Sequence, residues 1–110
     1  MKENMITVGE VLETVDALVE NSVPDSVKIG WINELELKIQ SEIFRSSDVR
    51  TVKSEGDVLS VPRAFARAYS LYLKAMIELY RGDEKAYDVA NKEFKSAYTD
   101  YAKYFLRTRT

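Results

Sequence analysis

With no histidine and no cysteine among its 110 residues, this chain leaves any acid–base or nucleophilic chemistry to carboxylates, lysines, tyrosines and hydroxyls. The missing imidazole removes the commonest metal ligand and the one side chain whose ordinary titration lies near neutral pH. The missing thiol removes thiolate nucleophiles and any disulfide framework. Paired carboxylates are therefore the first candidates. Glu34 and Glu36 stand two apart, so on a helix they point in different directions and cannot share a substrate. Glu10, Glu13, Asp16 and Glu20 line one helix face whose opposite face is apolar, the pattern of a solvated surface. They would hold a divalent ion only if carboxylates converged from several helices. The glycines at 9, 30, 56 and 82 are isolated, so neither a phosphate-cradling loop nor a nucleophile elbow is present. No catalysis, cofactor or metal is expected.

Three other groups carry potential for recognition. Arg81-Gly82-Asp83 spells a cell-adhesion tripeptide, but a basic last turn, a glycine cap and an aspartate helix start account for each residue. All seven tyrosines (69, 72, 80, 87, 98, 101 and 104) fall in the C-terminal half, interleaved with Arg67, Lys74, Lys92, Lys95, Lys103 and Arg107. That mixture suits stacking on single-stranded nucleic acid. Most of the tyrosines nevertheless lie on an apolar stripe, where rings fill a core and hydroxyls reach its edge. The excess over core needs suits a protein interface. The final turn places Lys103, Arg107 and Arg109 at a helix C-terminus, where the dipole favours cations. It reads equally as a fraying end or as a basic tail that docks into an acidic groove.

The elements that must position these groups are mainly helical. Thr7 and Glu10 fit a capping box for a first helix with Val8, Val11, Leu12, Val15, Leu18 and Val19 as its stripe. Asn21-Ser22 and Pro24 end it. A second helix starts at Asp25 or Ser26 and runs to about Ser46, with Val27, Trp31, Ile32, Leu35, Ile39 and Ile43 inward. Gly30 within it suggests close approach by a neighbouring backbone. Residues 48–61 are rich in β-branched types around the turn Lys53-Ser54-Glu55-Gly56-Asp57, predicting a short β-hairpin or an extended loop. Pro62 opens a third helix to Arg81, buried through Phe65, Ala68, Tyr69, Tyr72, Leu73, Met76, Leu79 and Tyr80. Gly82 caps it, and Asp83 starts a fourth helix from about Glu84 to Leu106. The fold class is thus a four-helix, bundle-like domain over 1–110, with a long C-terminal helical hairpin.

Apolar residues make up 45% and charged residues 31%, the balance of a folding chain rather than a disordered one. Met1–Met5 lacks a basic stretch leading into an apolar run, and no long uncharged apolar segment follows, so neither a signal peptide nor a membrane span is expected. The net charge of −2 conceals an asymmetry: residues 1–44 carry nine acidic and three basic side chains, and residues 45–110 carry nine and thirteen. Such halves suit either internal pairing or head-to-tail contacts between copies.

Trp31-Ile32-Asn33-Glu34-Leu35-Glu36 after a Pro24-Asp25 helix start, then Tyr69 through Glu78, then Tyr87, Asn91, Phe94, Ala97, Tyr98 and Tyr101 to Tyr104-Phe105-Leu106-Arg107-Thr108, resemble small proteins of tailed phages and prophages. The order of elements is similar to that of the head–tail connector, or adaptor, family. The likeness covers most of the chain but rests on core and cap positions. It implies a structural virion protein of the neck region, made in the host cytoplasm. Such subunits form a homo-oligomeric ring beneath the portal protein once DNA is packaged, and support a stopper or tail-completion protein. DNA would pass through the channel without sequence-specific binding. The family has no catalytic residues to carry over. The implied surfaces are the basic end (Lys103, Arg107, Arg109) toward the portal and Lys53, Glu55 and Asp57 in the 48–61 segment on the ring or tail side. Acidic Glu10, Glu13, Asp16 and Glu20 would face basic surface on the next copy. The alternatives are a cytosolic helical interaction module or regulator, and a single-stranded nucleic-acid binder.

Overall fold

The first apolar stripe needs a start signal, and Thr7 supplies it. In the computed structural model, which describes residues 4–47 and 50–108, the Thr7 hydroxyl accepts from the Glu10 amide at 3.2 Å and the Thr7 amide donates to the Glu10 carboxylate at 3.0 Å. Helix α1 spans Val8–Leu18 and buries Val8, Val11, Leu12 and Val15. It stops a residue short of the full stripe, leaving Leu18 exposed. Helix α2 spans Asp25–Glu42. It ends four residues before the expected Ser46, because Arg45 takes a left-handed conformation (φ 55°) and the Ser46 amide returns to the Gln40 carbonyl at 2.9 Å.

Gly30 has open space around it: a Cβ there would meet nothing within 4 Å, so the expected backbone neighbour is not present. The close approach falls at Gly9 instead, where a Cβ would lie 3.2 Å from the Glu55 carbonyl oxygen. Gly30→Ala should therefore stabilise the fold by about 1 kcal/mol through helix propensity alone. Thermal unfolding followed by circular dichroism should show a midpoint about 4 °C higher; a lower midpoint would contradict the open surroundings.

The β-branched segment splits into two parts. Strand β2 (Val58–Pro62) pairs antiparallel with β1 (Met5–Thr7), with Met5 opposite Pro62 and Thr7 opposite Val58. The partner of the strand is thus the N-terminal segment, whose three residues carry too little pattern to read as a strand. The other limb, 50–52, is the extended alternative, and side-chain amides of α2 serve as its neighbour. Asn33 bonds both the amide (2.8 Å) and the carbonyl (2.9 Å) of Val52. Gln40 does the same for Arg50, at 3.1 and 3.4 Å. Asp48 and Val49 lie outside the described residues.

Pro62 closes β2 in extended geometry (φ −67°, ψ 160°), so the third helix cannot begin on it. A 3-10 turn (Arg63–Phe65) intervenes, and α3 spans Arg67–Arg81. Gly82 is left-handed (φ 79°), and Asp83 caps α4 (Glu84–Thr108) through a 3.0 Å bond from the Ala86 amide. The tight turn folds α4 back along α3. Helix α3 is central, packing on α1, α2 and α4, and α4 also reaches α2 through Tyr98. It is accordingly buried on more than one face, through Ala68, Tyr69, Leu71, Leu73, Ala75 and Ile77. Leu79 and Tyr80, read from the sequence as inward, are exposed near its end. The buried side chains of all four helices and both strands form one cluster within extents of 42 × 28 × 25 Å.

Candidate interaction surfaces

The four acids that the sequence places along the first helix meet different fates, and Glu20 lies just past the end of α1. Glu10 completes the capping box and also receives Arg63, at 2.9 Å to Oε2 and 3.2 Å to Oε1, while Arg63 donates to the Met5 carbonyl at 2.9 Å. Asp16 accepts from Lys28 at 2.7 Å, and that lysine is 3% exposed. Glu13 and Glu20 are exposed and form no ion pair among the described residues; only the Glu20 backbone carbonyl is used, by Arg81 at 2.6 Å. The acidic face therefore keeps two unpaired carboxylates, not four.

The turn at 53–57 sits on the start of α1. The carbonyls of Asp57 and Glu55 accept from the Val8 and Gly9 amides at 3.0 and 2.9 Å, satisfying donors that an α-helix leaves open at its N-terminus. The Asp57 carboxylate closes the turn by accepting from the Lys53 and Ser54 amides at 2.7 and 3.0 Å. Asp57 and the Glu55 backbone thus act in folding, leaving the side chains of Lys53 and Glu55 exposed. Of the C-terminal cations, Lys103 and Arg107 are exposed on α4, and Arg109 lies outside the described residues. Next to them, Asn4, Pro62, Arg63, Ala64, Phe65 and Tyr104 line a groove of about 420 Å³.

The electrostatics follow the hydrogen bonds. Arg63, then the Thr7 amide, hold the Glu10 carboxyl below its ordinary value; Lys28 does so for Asp16. The Tyr98 hydroxyl, with Lys38, lowers Glu42, and the Lys53 and Ser54 amides lower Asp57. All four bind a proton less readily folded than unfolded. Their stabilisation is complete above the ordinary carboxylate range and is lost as pH falls through the lowered values. The unfolding temperature should stay level from about pH 7 to 5 and fall toward pH 3. Equal stability at both ends of that range would contradict these pairings.

The tyrosines are largely absorbed by contacts within the chain. Tyr69, Tyr72 and Tyr98 donate to Glu36 (2.6 Å), Glu34 (3.3 Å) and Glu42 (2.7 Å), three carboxylates of α2. Burial, followed by the facing carboxylate, raises Tyr72 to about 12, and Tyr69 and Tyr98 move the same way, so all three remain donors at neutral pH. Tyr101 and Tyr104 pack on Phe65 at 5.3 and 4.7 Å between ring centres. This leaves few free ring faces for stacked bases.

The arrangement that sequence reasoning missed is the polar inner face of α2. Glu36, 2% exposed, accepts from the Tyr69 hydroxyl and from both the amide (3.0 Å) and the hydroxyl (2.8 Å) of Ser60. Tyr69 in turn accepts from the Val61 amide at 3.0 Å. Asn33, Glu36 and Gln40 fall at i, i+3 and i+7, one helix face, and that spacing was the available signal. Glu34 and Glu36 do diverge: Glu34 is exposed. Among the described residues no three acidic side chains gather as a metal site, and no helix is long and apolar enough to cross a membrane. Comparison with family models, with curated proteins and with solved structures found no match to this chain.

Proposed function

We propose that this chain is a structural subunit that works without catalysis, by self-assembly into a ring. In the reading that its likeness to phage head–tail connectors favours, the ring lies between a portal protein and a stopper or tail-completion protein, in the neck of a virion. The observation that carries the ring is the placement of charge. The exposed acids Glu13 and Glu20 and the exposed cations of α4 form no ion pair with one another within the copy, among the described residues. Within the chain, Glu10–Arg63 bridges the acidic and basic halves, whereas Asp16–Lys28 and Glu78–Arg81 each stay inside one half. Complementary patches that do not meet within one subunit favour head-to-tail contacts, and these close into rings or run on as filaments.

The basic end of α4 is assigned to the portal side. The double substitution Arg107→Glu/Arg109→Glu should leave a folded subunit that no longer joins a phage portal protein bound by the unchanged chain. Retained portal binding by a folded double variant, read by co-purification, would remove this end from the mechanism.

A further inference from the structure

The outward face of α4 has a pattern of its own. At 3.6 residues per turn, the line opposite its buried Ala90, Phe94, Ala97 and Tyr101 runs through Lys92, Ser96, Thr99 and Lys103, all exposed. Lys85, Lys95 and Arg107 flank this line, and Asp88 and Glu84, both near the start of the helix, are the anions within a similar angle of it. The centre is small and uncharged, with lysine at each end. The outward line of α1 is its complement: it carries exposed Glu13 and exposed Ala17, and exposed Glu20 follows two residues past the helix end, after an extended Val19. Small side chains at both centres let two helices approach closely while long charged side chains reach past them. Exposed Leu18 beside the α1 patch and exposed Val89 and Leu106 at the ends of the α4 line add apolar area to both faces.

We infer that the occupant of the α4 outer face is α1 of a second copy of this chain, Glu13 and Glu20 meeting Lys92 and Lys103 across Ala17, Ser96 and Thr99. The inference rests on the ring reading and names its subunit contact. Because donor and acceptor faces differ, the contact is heterologous and leaves a joined pair with one free face of each kind.

The absence of cysteine makes a direct test simple. Ala17→Cys and Ser96→Cys chains, one isotope-labelled, are mixed in equal amounts and oxidised in about 0.02 M salt, where exposed charges interact over the longest range. The expected result is a 17–96 crosslink exceeding the 17–17 and 96–96 products together by about fivefold. That excess should fall to the random proportion in about 0.5 M salt, and should vanish when Glu13→Lys/Glu20→Lys is added to the Ala17→Cys chain. Adding Lys92→Glu/Lys103→Glu to the partner should restore it, a rescue that a merely misfolded variant would not show. Random proportions at low salt, or no crosslink of any kind, would overturn the contact. Rings seen on the portal together with random crosslinks would remove this contact and keep the ring. A dominant 17–96 crosslink in chains that never close would keep the contact and remove the ring.

Discussion

Replacing Glu36 by alanine should destabilise the protein by about 3 kcal/mol or more, the largest loss expected from any one carboxylate. Glu36 is 2% exposed and holds three hydrogen bonds, from the Tyr69 hydroxyl and from the Ser60 amide and hydroxyl. Truncation leaves those donors buried without an acceptor, and each such group costs about 1–3 kcal/mol. The same change at Glu34, exposed and receiving one 3.3 Å bond from Tyr72, should stay within about 0.5 kcal/mol. Urea unfolding of the two variants checks the contrast directly. Equal losses at both positions would mean that the α2 carboxylate does not hold β2 in place. Glu36→Gln should fall between, since its amide oxygen can keep both Ser60 bonds while its NH2 group turns a donor toward the Tyr69 hydroxyl.

Phe94→Ala should cost about 3–5 kcal/mol, enough to approach the whole stability of a domain of this size. The ring is 5% exposed and lies 5.1 Å from Tyr72 and 5.7 Å from Tyr98, at the seam where α4 packs on α3. Its loss opens a cavity between the two long helices and loosens Tyr98, whose hydroxyl ties α4 to Glu42 of α2. Val89→Ala, on the exposed side of the same helix, should change stability by less than about 0.5 kcal/mol. Hydrogen exchange should show amides of α4 losing protection in Phe94→Ala before those of α1. Uniform loss along the chain would contradict this account of how α4 is held.

The helices were legible because their signals are local. Thr7 with Glu10, Gly82 with Asp83, and the apolar steps of α1 and α4 are all decided within a turn or two of helix. The strand pairing was not, because β1 is three residues long and its partner lies more than fifty residues away. The exposed Leu79 and Tyr80 reflect the crowding of α3, whose central position buries more than one face and breaks the single-stripe expectation near its end. Charge was legible as a balance but not as a surface. The sequence places four acids along the first helix it predicts, yet Arg63 and Lys28 reach Glu10 and Asp16 from elements distant in the chain. The polar face of α2 shows the same limit. Asn33, Glu36 and Gln40 share a helix face, but only the fold brings the extended segment 50–52, Ser60 and Tyr69 to them.

The central claim is assembly. Native mass spectrometry of the chain mixed with a phage portal protein, with particle images of the same sample, tests this proposal most directly. The account predicts one closed ring of identical subunits seated on the portal, absent when Glu13 and Glu20 are both changed to lysine. A subunit that stays monomeric or dimeric with the portal present would contradict it.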